Sequence, residues 1–162
     1  MRAFKFLGHG AIGTFTGFVW PAPGAWVDVT GALDPCRNGI HVCHAHELAH
    51  WLHEELWELD VDGDQLVGID CFVVRRARLV RQVAAWDAAG TVRFAEACIE
   101  HARQTGAGAD ALAEAQGAAG GGYPAIAAYV AALAVARTAA ELEPAYARER
   151  AWQSDWIARE ML

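Results

Sequence analysis

The sequence has no long hydrophobic run, no excess of positive charge and no signal-peptide pattern. Its longest apolar segment, residues 125–136, is shorter than the about 20 residues that a helix needs to cross a bilayer. A formal net charge of −7 at pH 7 argues against nucleic acid or an anionic membrane as the main partner. No basic segment followed by an apolar one opens the chain, so we expect a cytoplasmic protein. Since nucleic acid and membranes are disfavoured, the expected partner is a small-molecule substrate or ligand.

Regular cysteine spacing, the serine-hydrolase motif and a phosphate-binding loop are also missing. The cysteines at positions 36, 43, 71 and 98 are irregularly spaced and do not resemble the disulfide framework of a secreted domain. The chain has no G-x-S-x-G motif and no glycine-rich phosphate-binding pattern. With 54% hydrophobic and 20% charged residues in 162 positions, its composition is typical of a globular protein of one domain, or a small domain with a subdomain.

Short β-like runs separated by glycine and proline make up the chain as far as residue 85. Apolar and polar residues alternate at 39–43 and 57–61, as they do in half-buried strands. Asp62-Gly63 fits a two-residue hairpin turn. The histidine-rich segment from Ala45 fits a helix of about ten residues. The predicted strands are 3–7, 15–20, 25–29, 39–43, 57–61 and 66–80.

After residue 85 the sequence becomes rich in alanine, and its apolar residues recur at helical spacing. Helices are predicted at 92–102, 107–118, 124–137 and 144–161, the last two opened by Pro124 and Pro144. We therefore predict an α+β fold. A mostly antiparallel sheet with a short histidine-rich helix occupies residues 1–85, and an alanine-rich helical region, residues 86–162, packs on it as one unit. The alanine-rich helices are also a candidate homodimer surface.

Residues 41–53 hold five of the seven histidines of the chain and include His46-Glu47-Leu48-Ala49-His50, an H-E-x-x-H motif. On an α-helix this spacing places both imidazoles on one face, where they can share a zinc ion while Glu47 activates a bound water. The motif predicts a zinc-dependent hydrolase with His46 and His50 as ligands and Glu47 as general base. The same residues also fit the ordinary polar face of an amphipathic helix. No spacing singles out a third ligand among Glu96, Glu100 and His101.

The same segment also fits a second kind of metal site. Cys36, His41 and Cys43, completed by His44 or His46, would give the mixed Cys/His tetrahedron of a closed, structural zinc site. The alternative interpretation makes these cysteines small buried hydrophobic residues.

Two further functions need no metal. The first is an enzyme or accessory protein of small-molecule metabolism, with a pocket lined by tryptophan and histidine and with His41 or His53 as acid–base catalyst. The second is a binding or scaffold module that dimerises through its helices.

Four arginines lie close together in the predicted strand 66–80 and just beyond it. They fit either a binding site for a carboxylate or phosphate group or a solvated strand edge whose charges balance nearby acids. These residues are Arg75, Arg76, Arg78 and Arg81.

Three motifs in the first half of the chain also carry a family resemblance. They are Cys36-x6-Cys43, the enclosed Gly39-Ile40-His41, and the segment 51–58, Trp-Leu-His-Glu-Glu-Leu-Trp-Glu. With the opening segment 1–7 and the segment 17–21, they resemble a family of small uncharacterised actinobacterial proteins. The preference for Arg over Lys and the alanine richness suit that source. The resemblance implies a shared fold and an intracellular setting, no established activity, and more interest in Cys36, His41, Cys43 and His53 than in H-E-x-x-H.

Overall fold

Strands dominate the first half of the chain and helices the second, as the α+β prediction requires. The computed structural model describes residues 1–35, 37–68 and 70–162. Contacts divide the chain into two compact units, Met1–Ala84 and Ala85–Leu162, which are described separately.

The first unit is built on one antiparallel sheet. Its strands are β1 (Arg2–Leu7), β2 (Val27–Asp28), β3 (Ile40–Val42), β4 (Glu55–Val67) and β5 (Phe72–Gln82). β4 pairs with β1 and β5, and β5 also pairs with β2 and β3.

The sheet closes on itself next to β3. Phe4 in β1 and Cys43, just after β3, exchange two backbone hydrogen bonds of 2.9 Å. β1, β4, β5 and β3 therefore form a continuous cycle, so β1 has paired neighbours on both sides. Apolar side chains from the strands fill the main core of the unit: Ala3, Leu7, Trp20, Ile40, Val42, Leu59, Val61, Phe72, Val74, Ala77 and Leu79.

The strand pattern differs from the prediction in two places. β4 runs through to Val67, so Asp62-Gly63 lies inside a strand and the hairpin prediction is wrong. Gly63 has φ +79° and lies at a shift in the β4–β5 register. A turn-forming Asp-Gly pair suits a β-bulge inside a strand as well as a hairpin turn. The β4–β5 turn falls instead between Val67 and Phe72, where the Gly68 N–H donates to the Cys71 carbonyl over 2.8 Å.

Residues 15–20 form a loop rather than a strand. Phe15 and Val19 are 87% and 64% exposed, and residue 19 makes only an isolated bridge to Ile12. Gly17, at φ +67°, donates its N–H to the Gly13 carbonyl and turns the chain before a strand can extend.

The histidine-rich helix is a 3₁₀ helix, Ala45–Trp51, and not an α-helix of about ten residues. The Glu47 carboxylate reaches back to accept the His44 N–H at 2.6 Å and fixes the start of the helix. Leu48 and Ala49 are buried.

The second unit contains four helices, α1 (Ala88–Gln104), α2 (Ala109–Gly120), α3 (Pro124–Thr138) and α4 (Leu142–Met161). α3 contacts the other three helices and buries most of its alanines, whose small side chains allow close approach. Gln153 ties α4 to α3 through a 2.8 Å hydrogen bond to the Ala128 carbonyl. Among the described residues, no helix combines the length and the apolar character that crossing a membrane requires.

Gly39, directly before β3, provides a test of how β3 sits on β5. It has φ +140°, and a Cβ added there would lie 2.9 Å from the Val73 Cβ. Gly24 has φ +92° but open space around it. We expect Gly39→Ala to lower the free energy of unfolding by about 2–4 kcal/mol and Gly24→Ala by about 1 kcal/mol. Urea titration measures both, and equal losses would contradict the close contact with Val73.

Candidate functional site

A pocket of about 190 Å³ lies in the first unit, between β1, the end of β3 and the 3₁₀ helix. A pocket this size is small for a ligand site and suits a compact organic molecule, since a cavity of about 150 Å³ can hold benzene. Its lining combines aromatic and aliphatic side chains with titratable ones: Phe4, Lys5, Phe6, Thr14, Phe15, His41, Val42, Cys43, His50, Trp51, Leu52, His53 and Cys71.

Lys5 is the charged group of this pocket. It lies between two buried phenylalanines on β1, and its Nζ donates a hydrogen bond of 2.6 Å to the His41 carbonyl. Burial lowers the pKa of Lys5 from 10.5 to about 8, against a smaller opposing effect of the nearby thiols of Cys43 and Cys71. Within the described parts of the chain, no carboxylate forms an ion pair with this amine.

His41 is held in its neutral form beside Lys5. Burial, and then the positive charge of Lys5, lower the pKa of this imidazole, while a backbone hydrogen bond at Gly39 opposes them. A neutral imidazole can accept a proton, so His41 is suited to act as a base near pH 7.

The two thiols of the pocket lie close to Lys5. Cys43 and Cys71 are both buried, and the Cys43 thiol donates to the Phe4 carbonyl over 3.5 Å. Burial raises the pKa of Cys43 to about 12, so this thiol is uncharged at neutral pH and supplies no counter-charge to the ammonium.

His50 and Trp51 join the 3₁₀ helix to the β4–β5 turn through Asp70. The His50 Nδ1 lies 3.6 Å from the Asp70 carboxylate, and the Trp51 Nε1 donates to the Asp70 carbonyl over 2.5 Å. Asp70 has φ +53°, a left-handed conformation that is uncommon for a residue other than glycine. His53, the third pocket histidine, has its Nδ1 3.2 Å from the Leu7 carbonyl oxygen.

The H-E-x-x-H residues do not share one face. A 3₁₀ helix turns about 120° per residue, so His46 and His50 point about 120° apart instead of the roughly 40° of an α-helix. His46 is exposed and does not line the pocket, whereas His50 does. Glu47 does not line it either.

His44, one of the residues predicted to form the structural zinc site, has other ring partners in the structure. The His44 ring stacks on Phe72 and on His46, with centroid distances of 4.4 Å and 5.4 Å. Cys36 lies outside the described residues. Within residues 1–35, 37–68 and 70–162, no group of three or more His, Cys, Asp or Glu side chains could hold a metal ion.

The remaining candidates are occupied elsewhere. In the helical unit, His101 pairs with Glu149 at 3.0 Å and stacks on Trp152, and Glu100 binds Arg103. The four clustered arginines each pair with an acid, as the solvated-edge interpretation predicts. Arg75, Arg76, Arg78 and Arg81 lie 3.3, 3.3, 2.8 and 2.7 Å from Asp64, Asp28, Asp60 and Glu58.

The sequence interpretation missed Lys5 and gave Cys71 no role in a site. A signal for Lys5 was present, because it is the only lysine in the chain and lies within Phe4-Lys5-Phe6. Cys71 carried no such signal, since residue 71 was assigned to the middle of a strand.

Comparisons of this chain with protein-family models, with curated proteins and with solved structures found no match. The function is therefore argued from the pocket itself.

The buried amine has a measurable effect on stability. Because the pKa is lowered on folding, the unfolded chain binds more protons between about pH 8 and pH 10.5, and the cost of burying the cation falls as pH rises through that range. We expect Lys5→Met to be more stable than the parent by up to about 3 kcal/mol below pH 8, the difference closing toward pH 10.5.

Urea unfolding near pH 7 and near pH 10 measures this difference. Arg37→Met is the matched control, because it removes a cation whose side chain is 84% exposed and leaves the pocket intact. A Lys5→Met chain that is less stable than the parent near pH 7 would contradict the burial of a charged amine.

Proposed function

We propose that the chain is a small-molecule enzyme whose substrate binds in the pocket of the first unit and undergoes acid–base chemistry there. The observation that carries this proposal is the convergence of His41, His50 and His53 with Lys5 on one pocket of about 190 Å³. A concave, largely apolar site with a few converging polar groups is the usual form of a small-ligand site.

The charge of the lining indicates the kind of ligand. Lys5 lines the pocket, and among the described residues no Asp or Glu does. The chain as a whole carries a net charge of −7, so this local excess of positive charge favours a ligand with a carboxylate or a polarised carbonyl oxygen. The aromatic walls, Phe4, Phe6 and Trp51, fit the carbon skeleton of the same ligand.

The histidines have different tasks in this proposal. His41, neutral near pH 7, removes a proton from the substrate. The His50 Nδ1 lies 3.6 Å from the Asp70 carboxylate, and we assign His50 the return of a proton to oxygen.

The zinc hydrolase predicted from H-E-x-x-H stays a prediction with less support, and so does the structural zinc site. A shared zinc needs His46 and His50 together, and the 3₁₀ geometry turns them apart. The scaffold that dimerises through its helices also stays a prediction.

Comparison of His50→Ala with His46→Ala separates the two enzyme hypotheses. We expect a panel of small carboxylic and 2-oxo acids, followed by NMR of the histidine rings, to shift the signals of His41, His50 and His53. His50→Ala should weaken binding of the best ligand by about tenfold, as expected for loss of a pocket hydrogen bond, while His46→Ala changes it less than about twofold.

Elemental analysis of untagged protein is the companion measurement. One zinc per chain, lost in both variants, would overturn the proposal in favour of the hydrolase. A panel in which no compound shifts a pocket histidine would also contradict it.

A further inference from the structure

We propose that Lys5 is a covalent amine, which condenses with a small aldehyde or ketone in the pocket to form an imine. The inference rests on the proposed function, because it takes the same pocket as the substrate site, and it adds the chemical class of the substrate. It also assigns a catalytic residue that the H-E-x-x-H motif does not contain.

The surroundings of Lys5 are those of a reactive amine and not of a structural cation. Lys5 lines the pocket, and its ammonium is anchored to the His41 carbonyl oxygen at 2.6 Å. A backbone carbonyl fixes the position of the nitrogen without requiring its positive charge. Lys5 makes no ion pair with a carboxylate in the described residues, whereas the four arginines at positions 75, 76, 78 and 81 are each paired with an acid.

The choice of residue supports the same conclusion. Apart from the histidines, every other basic side chain is arginine: the chain contains twelve arginines and one lysine. Arginine serves as well or better wherever a fixed positive charge is needed, but it does not lose its proton in proteins and cannot act as a nucleophile. The one amine side chain therefore stands at the position where a removable proton matters.

Burial makes the neutral amine available near pH 7. With a pKa of about 8, roughly a tenth of Lys5 is unprotonated at that pH, compared with less than about a thousandth of an ordinary lysine. The titratable groups that line the pocket around it are His41, Cys43, Cys71, His50 and His53.

The condensation balances with groups already in the pocket. The Nζ lone pair attacks the carbonyl carbon and forms the C–N bond, while the C=O π pair moves to oxygen, which takes a proton from His50. His41 accepts the proton that nitrogen loses. His41 then returns that proton to the carbinolamine hydroxyl, the C–O bond breaks as water leaves, and the nitrogen lone pair closes the C=N bond of a protonated imine. The only other product is water, and hydrolysis reverses the sequence.

The size of the pocket limits the carbonyl compound. About 190 Å³ admits roughly six to ten non-hydrogen atoms. Because no acidic side chain of the described residues lines the pocket, a carboxylate on the ligand is tolerated, so small 2-oxo acids and aromatic aldehydes are the substrate classes that fit.

Reductive trapping on the full chain tests the inference directly. The protein is incubated near neutral pH with pyruvate, glyoxylate or benzaldehyde, reduced with cyanoborohydride and analysed by mass spectrometry. Only two amines are present, Lys5 and the Met1 N-terminus, so the N-terminus is an internal reference. An alkylated Lys5 also resists trypsin, which leaves a peptide of residues 3–37.

We expect at least one of these probes to label Lys5 at least tenfold faster in the folded protein than in urea, and faster than the N-terminus. His50→Ala should slow the labelling, and His46→Ala is the matched control that should leave it unchanged. Lys5→Met and Lys5→Arg should abolish labelling at position 5. A folded chain whose Lys5 is labelled no faster than in urea by any of the three probes would overturn the inference.

Failure of this inference is distinguishable from failure of the proposed function. If small carboxylates shift the pocket histidines but no probe is trapped on Lys5, the pocket is a substrate site without imine chemistry. If Lys5 is trapped rapidly but His50→Ala and His46→Ala react alike, the amine is nucleophilic but the acid–base roles assigned to the histidines are wrong.

Discussion

The backbone pairing of Phe4 with Cys43 is the contact on which the candidate site depends. It joins the first strand to the chain that follows β3, and it closes the cycle of β1, β4, β5 and β3. Lys5 follows Phe4 and His41 lies two residues before Cys43, so closing the sheet also brings the amine to the His41 carbonyl oxygen. The 3₁₀ helix begins two residues after Cys43. His50, within this helix, and His53, just after it, line the same pocket as Lys5 and His41. One pair of hydrogen bonds thus assembles groups from positions 5 to 53.

A buried lysine with no carboxylate partner in the described part of the chain is unfavourable for folding and informative about function. Desolvation penalises the ammonium, and the uncharged Cys43 thiol does little to compensate. Methionine at position 5 would fill similar space and avoid the cost. Groups with strongly shifted pKa values and no structural partner concentrate at sites of chemistry, where stability is lost for the sake of reactivity. The αL conformation of Asp70, next to His50, is a second local cost at the same site.

Local patterns were sufficient to predict the fold class and insufficient to predict the site. The α+β class and the order of strands before helices follow from alternation and helical spacing, which involve neighbouring residues only. Asp62-Gly63 was misinterpreted because the same two residues suit a hairpin turn and a bulge inside a longer strand. The pocket depends on the pairing of residues 4 and 43, which are 39 positions apart, and no periodicity in the sequence records a contact of that range.

The period of the histidine-rich helix decides which of its residues can act together. With 3.6 residues per turn, positions 46 and 50 share a face and form the apparent zinc motif. With three residues per turn, positions 46 and 50 no longer share a face, and His53 lies beyond the helix end, after Leu52 has left the helical conformation. His50 and His53 both line the pocket, and His46 does not. Glu47 bonds the His44 N–H at one end of the helix and Trp51 bonds Asp70 at the other, so both ends of this short helix are fixed. The segment that first indicated a metal site therefore contributes to the pocket through a different pair of histidines.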